Sequence, residues 1–394
     1  MTTPAPASMP PCPHPAVTAL RRSLHWLLAG LTPAGLVALF LGLWGCLAVY
    51  NATFHLAQPL AFVLRQGVWL LLGVTGLLLL ARAGAGAALR RALPWAAGAA
   101  YAALWLVLHF GVRVNGMQGW FAWGGVFVQP AELAKPVYVL TLAWVLERTQ
   151  PWRREFWHGF LPPLGCLTAW LLPLVLEPDF GTALIYALTF AALYWAMGGR
   201  FRDLLLLAAA ALPVTGVVLW WKPYIWQRFA GFLFPDRYAA SFGWHVQQFQ
   251  HAVAAGGLTG QSWGKGRWSE SFLPLGYSDS MFATLAESIG FLGVLPLLLL
   301  LLAWVWHGCR EARRCPDVFR AATLLGMVSL LAIQGLVHLS VNLGLMPPTG
   351  ITLPFLSYGG SSLLSAFLMI GIAEGVRRTL APLQSPPDGS TVQT

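Results

Sequence analysis

Ten apolar runs set the terms for this chain. They fall at about 26–49, 66–81, 93–110, 131–146, 160–176, 181–198, 204–221, 282–306, 321–343 and 359–376. A helix needs roughly 20 apolar residues to cross the hydrocarbon core of a bilayer. Only helices and closed barrels satisfy their backbone hydrogen bonds in lipid. The runs are continuous rather than alternating, which argues for helices over a barrel. Composition agrees: 57% of the residues are hydrophobic and 10% charged, against about 25% charged in soluble domains. The expected fold is an all-α integral membrane protein, a polytopic bundle of about ten transmembrane helices forming one membrane domain over residues 21–378. Residues 1–20 and 379–394 read as disordered cytoplasmic tails. Arg21-Arg22 precede the first run, but that run is too long for a signal peptide and a second follows soon.

Charge orients the bundle. With the N-terminus in the cytoplasm, the inner loops hold Arg21, Arg22, Arg82, Arg90, Arg91, Arg148, Arg153, Arg154, Arg200, Arg202, Arg310, Arg313, Arg314, Arg320, Arg377 and Arg378, which is 16 of 24 basic residues. Arg65 and Arg113 fall in short outer loops. Excess Lys and Arg mark cytoplasmic loops, so both termini are expected inside. The long interval 222–281, between spans seven and eight, is then a large extracytoplasmic loop. The net charge of +10 is accounted for by these loop arginines, and no nucleic-acid partner is expected. The cysteines are scattered, and the spacing of Cys309 and Cys315 is no zinc pattern.

Four stretches are too polar for their place. In the first, Gln129-Pro130-Ala131-Glu132-Leu133-Ala134-Lys135 sets Glu132 and Lys135 on one helical face as span four begins. The pair is either an interfacial ion pair or the lining of a polar cavity. In the second, Glu177-Pro178-Asp179-Phe180-Gly181-Thr182 is either a tight turn with Asp179 as a helix cap, or a group facing the outer cavity to bind a cation or a sugar. The third is the interval itself, with Tyr224, Arg228, Gln247, Gln248 and the glycine patch Gly256-Gly257-Leu258-Thr259-Gly260, ending at a lone acid, Asp279, at the edge of span eight. Aromatic and amide side chains suit a sugar and equally suit a membrane interface. The patch has no preceding strand, so a nucleotide-binding loop is a poor reading. The fourth runs from Gln334 to Leu364 and includes Ser357-Tyr358-Gly359-Gly360-Ser361-Ser362, which suits close packing or a broken helix.

At the fourth stretch the sequence resembles a known family. QGLVHLSVNLGLMPPTGITLPFLSYGGSSLL (334–364) resembles the C-terminal signature of the SEDS proteins FtsW, RodA and SpoVE, most closely the FtsW branch. QPAELAK (129–135), EPDFGTA (177–183), YIWQRFAGFLFP (224–235), GWHVQQ (243–248), AVAAGGLTG (252–260) and FLPLGYSDSMFATLAESIGFLG (272–293) are similar to further family segments, in the same order. The likeness covers about residues 26–378.

The resemblance implies a peptidoglycan glycosyltransferase that polymerises lipid II during cell division, in the cytoplasmic (inner) membrane at the septum. It implies a class B penicillin-binding transpeptidase and other division proteins as partners. Asp279 matches the family's essential aspartate and would be the general base. Glu132, Lys135, Asp179, Arg228, Gln247, Gln248, Ser357, Gly359, Gly360 and Ser361 would line the substrate site. Lys135, then Arg228, are the cations expected at the leaving pyrophosphate, and a divalent cation (Mg or Mn) would suit the same charge. A lipid II flippase and a non-catalytic division scaffold are the competing classes. The sequence departs from the family at telling places. The Glu and His that commonly precede the aspartate are absent from Leu275-Gly276-Tyr277-Ser278-Asp279. Ser280 replaces an aromatic, Gly119 an Arg and His338 an Asn.

Overall fold

The computed structural model describes residues 31–84, 87–114, 116–221, 223–238, 242–273 and 275–378. The two expected tails lie outside the described residues. Every one of the ten apolar runs falls on a helix: α1 Pro33–Thr53, α2 Pro59–Ala83, α3 Ala87–Phe110, α4 Pro130–Thr149, α5 Leu161–Leu176, α6 Phe180–Ala196, α7 Phe201–Trp221, α11 Met281–Arg313, α12 Val318–Asn342 and α13 Gly360–Arg378. By length and hydropathy, α1, α2, α3, α11, α12 and the stretch Phe156–Leu176 that ends in α5 can each cross a bilayer. Their outer faces carry exposed Leu, Phe and Trp, among them Leu64, Leu71, Trp95, Phe110 and Leu302, as lipid contact requires.

The helices start where the sequence provides caps. Thr32 accepts from Ala34 N at the start of α1, Asp179 from Thr182 N at α6 and Asp317 from Arg320 N at α12. Proline occupies the first turn of α1, α2 and α4, where its missing N–H costs nothing. α13 lies along α2, while α12 packs against α4, α6 and α11. Near the expected cytoplasmic end, Arg90 of α3 forks onto Glu147 of α4 at 2.7 and 2.8 Å and reaches Asp317 at 3.3 Å. Arg377 and Glu374 of α13 close onto Thr32.

Two regions differ from the sequence expectation. The chain is not purely helical: an antiparallel sheet forms in the order β1 (Val112–Val114), β2 (Met117–Trp123), β3 (Val126–Val128). Its β-branched and aromatic residues favour strands. Gly124-Gly125, with φ of 56° and 80°, supplies the two positive φ angles that a two-residue hairpin turn needs. The large interval is also far from a loop. It folds into α8 (Pro223–Leu233), α9 (Phe242–Gly256) and α10 (Arg267–Ser271).

The long helix α11 is broken at Gly290, whose φ of 65° and ψ of −176° are non-helical. The glycine patch repairs the break. Phe291 and Leu292 donate to Gly257 O and Leu258 O at 2.9 and 3.0 Å, while Gln261 and Ser262 donate to Glu287 O and Ser288 O at 2.9 and 3.2 Å. Gly256 and Gly260 are needed because an added Cβ would run into the carbonyls of Ala286 and Ser288. The patch is therefore a helix-break filler. It supplies the partners that the interrupted helix leaves open.

Candidate functional site

Asp279 stands at the end of the turn that leads into α11, partly exposed. The turn is held by the segment 353–358. Tyr358 N donates to Tyr277 O at 2.8 Å, Ser357 Oγ donates to Ser278 O at 2.8 Å, and Leu353 N donates to Ser357 Oγ at 2.9 Å. Phe62 and Tyr277 each meet Tyr358 edge to face beside it, and are tilted against each other. The Asp279 carboxylate accepts from Ser278 Oγ at 3.0 Å, and Gly350 backs Oδ2. Burial pushes its pKa above the ordinary 3.8, opposed by the Ser278 hydrogen bond and by the positive charge of Arg228 on α8.

Behind Asp279 runs a polar stripe that sequence reasoning passed over. Gln334, His338 and Asn342 recur every fourth residue on α12, so they share one face, and all three are buried. Gln334 accepts from Lys135 Nζ at 2.8 Å and donates to Thr352 O at 3.0 Å. His338 Nδ1 bonds Ile351 O at 2.7 Å, and its Nε2 accepts from Phe282 N at 3.3 Å. Asn342 donates to Asp279 O at 3.0 Å and accepts from Ala283 N at 3.1 Å. Three polar positions spaced four residues apart through an apolar helix were the available signal, since polar groups in spans face a bundle interior.

At the far end of the stripe lies the ion pair. Lys135 is fully buried, and its Nζ donates to Glu132 Oε1 at 2.6 Å as well as to Gln334. The ammonium thus already serves two partners inside the protein. Asp179 caps α6 and accepts from Gln129 Nε2 at 2.9 Å, which is the helix-cap reading of its motif. Glu177 is the anomaly. It is fully buried, and neither carboxylate oxygen has a hydrogen-bond partner among the described residues. Burial first, and the nearby Asp179 carboxylate second, push its pKa from 4.5 to about 8.

The other expected site residues are dispersed. Gln247, on α9, donates to Asp236 at 2.9 Å. Gln248, next to it, is buried with no hydrogen-bond partner for its Oε1 among the described residues. Gly359 N donates to Gln66 Oε1 at 3.4 Å, and Gly360 is where α13 meets the Trp69 ring. Ser361 Oγ accepts from Gln129 N at 2.9 Å, tying α13 to α4. Ser357, Gly359 and Ser361 commit polar atoms to other parts of the chain, and Gly360 lets α13 approach Trp69. For a divalent cation the donor set does not fit a resident site: among the described residues, no three His, Cys, Asp or Glu side chains gather to hold one.

Comparison with known proteins bears on this geometry. The family described as cell cycle protein, comprising FtsW, RodA and SpoVE, matches residues 29–381. The chain belongs to the SEDS family. It is 34% identical over 274 residues to stage V sporulation protein E of Bacillus subtilis (strain 168), covering 69% of this chain and 75% of that one. It is 31% identical over 348 residues to the "Probable peptidoglycan glycosyltransferase FtsW" of Trichlorobacter lovleyi, covering 86% of this chain and 91% of that one. A solved structure described as "Structural coordination of polymerization and crosslinking by a peptidoglycan synthase complex" matches with a TM-score of 0.73 at 31% identity. That match covers 88% of this chain and 98% of the other. As a SEDS chain with several apolar helices, this is a multi-pass membrane protein.

The departures of this SEDS chain acquire positions. Gly119, on β2, lies against the Glu177 carboxylate so closely that a Cβ there would collide with Oε1. Ser280 is the residue before α11 and makes no side-chain cap. His338 belongs to the polar stripe.

Proposed function

We propose that this chain is a glycosyltransferase that polymerises lipid II, the undecaprenyl-pyrophosphate-linked disaccharide-pentapeptide, into glycan strands at the division septum. It works with a class B penicillin-binding transpeptidase and other division proteins. In this reading the chain crosses the inner membrane ten times with both termini inside, and residues 222–281 lie on the outer face, where lipid-linked sugars are displayed. The naming of its FtsW relatives supports the activity. The observation that carries the mechanism is a single carboxylate, Asp279, braced on its main-chain side by α12 and on its turn side by the segment 353–358, with its side chain left partly exposed.

The reaction needs an acceptor 4-hydroxyl to lose its proton as it attacks the anomeric carbon of the growing strand. The bond to the lipid pyrophosphate breaks, and the pair of electrons leaves with the phosphate oxygen. Asp279 takes the proton. A carboxyl raised above its ordinary value by burial is a stronger base than an exposed one, and a positioned base is worth roughly 10²–10⁴-fold. Arg228, whose charge is felt at Asp279, is the cation offered to the pyrophosphate. Lys135 acts at one remove, through Gln334, because its ammonium is already engaged.

The test is polymerisation of lipid II by the purified chain with its transpeptidase, wild type against Asp279→Asn. The variant should lose polymerisation and still bind its partner. Equal polymerisation by both forms overturns the mechanism. Absence of polymerisation from both favours the flippase or scaffold.

A further inference from the structure

The first turn of α11 has no local cap. Ser280, just before it, has φ −109° and ψ 16° and makes no side-chain hydrogen bond to the helix. The opening N–H groups of a helix have no intrahelical acceptor and need one from elsewhere. Here they point into a dry region: Phe282, Ala283, His338 and Asn342 are all buried. Two acceptors arrive from α12, a different helix. His338 Nε2 takes the Phe282 N–H at 3.3 Å, and Asn342 Oδ1 takes the Ala283 N–H at 3.1 Å.

The same two side chains hold what surrounds the turn. Asn342 Nδ2 donates back to the Asp279 carbonyl at 3.0 Å and to His338 O at 3.0 Å. Because His338 Nε2 is an acceptor, its proton sits on Nδ1 and is donated to Ile351 O at 2.7 Å. That carbonyl adjoins Gly350, the residue that backs the Asp279 carboxylate. The pair therefore fixes the main chain of Asp279, the second and third residues of α11, and the wall behind the Asp279 side chain.

We propose that His338 and Asn342 are positioning residues for Asp279, capping α11 from a neighbouring helix in place of a local cap. This rests on Asp279 being the base. Neither residue touches substrate. A lost cap loosens the start of one helix without unfolding the protein, whereas a displacement of about 1 Å at a reacting group can cost about 100-fold in rate. The effect on turnover should therefore exceed the effect on folding.

The amide variants separate the two bonds of the imidazole. A glutamine at 338 can place its Oε1 where Nε2 sits and keep the cap. An asparagine there can reproduce only the Nδ1 donor to Ile351 O. The full chain with its transpeptidase is assayed for kcat and KM on lipid II, and hydrogen exchange is followed in peptides spanning 279–285. His338→Leu, His338→Asn and Asn342→Leu should lose about 10- to 100-fold in kcat with KM within about threefold, and the 279–285 amides should exchange faster. His338→Gln should restore kcat to within about threefold and restore protection. Wild-type kcat in His338→Leu and Asn342→Leu overturns the proposal. So does a glutamine variant that regains protection without regaining kcat. Asp279→Asn is run alongside: if it polymerises normally, the base assignment has failed. If it is inactive while the His338 and Asn342 variants are active, the positioning proposal alone has failed.

Discussion

Replacing Glu177 by glutamine should make the protein more stable above neutral pH, which is the reverse of the usual result for a buried polar substitution. The side chain is fully buried between α5 and α6, outside both helices, with no hydrogen-bond partner for either oxygen among the described residues. Its carboxyl moves from 4.5 to about 8 on folding. Below about 4.5 it is protonated in both states and contributes no penalty. As pH rises toward about 8 the unfolded chain releases the proton and the folded chain keeps it, so stability falls across that window. At about 1.4 kcal/mol per tenfold in proton affinity, the full penalty is on the order of 5 kcal/mol. Glutamine leaves an amide with orphaned groups, at about 1–3 kcal/mol. The net gain for Glu177→Gln is therefore about 2–4 kcal/mol above pH 8, or several degrees in thermal melting, and about zero or negative near pH 4.5. The assay is thermal melting of the purified chain in detergent from pH 4.5 to 9, where the wild type should lose more than the variant. Parallel pH profiles, or a variant that melts several degrees lower at pH 8.5, would show that Glu177 is charged and paired, and would refute the argument.

Other consequences follow from the same geometry. Arg228→Gln removes a charge that lowers the Asp279 pKa, so the acid limb of the polymerisation–pH profile should move to higher pH, while an unmoved limb would count against that charge effect. Lys135→Met leaves Glu132 buried and unpaired and should destabilise by about 3–5 kcal/mol; pairing it with Glu132→Gln should recover most of that in a melt. Gly290→Ala must adopt a φ of 65° and meet the backbone of Leu258 and Gly260; faster hydrogen exchange in residues 256–262 and a loss of at least about 1–2 kcal/mol are expected.

The ten apolar helices were legible because a long apolar run is written locally, residue after residue, and a membrane protein needs such runs to cross lipid. The motif carrying Asp279 was legible for a related reason: a lone acid at the edge of a span is costly and conspicuous. The sheet at 112–128 was missed, although Gly124-Gly125 between aromatic and β-branched residues signals a hairpin, because glycines and aromatics at a span end read equally well as interface. The interval 222–281 read as a loop because α8, α9 and α10 are stabilised by packing against α11 and against one another, which short amphipathic sequences do not announce. What the sequence alone determined was the placement of the long apolar helices, and that a lone acid, Asp279, stands at the start of one of them. Tertiary structure decided which polar residues serve each other. Lys135 meets Gln334, Asn342 meets Asp279, and the glycine patch meets a break in α11 more than 25 residues away. These are contacts between elements far apart in the chain, set by helix packing, and no local pattern encodes them.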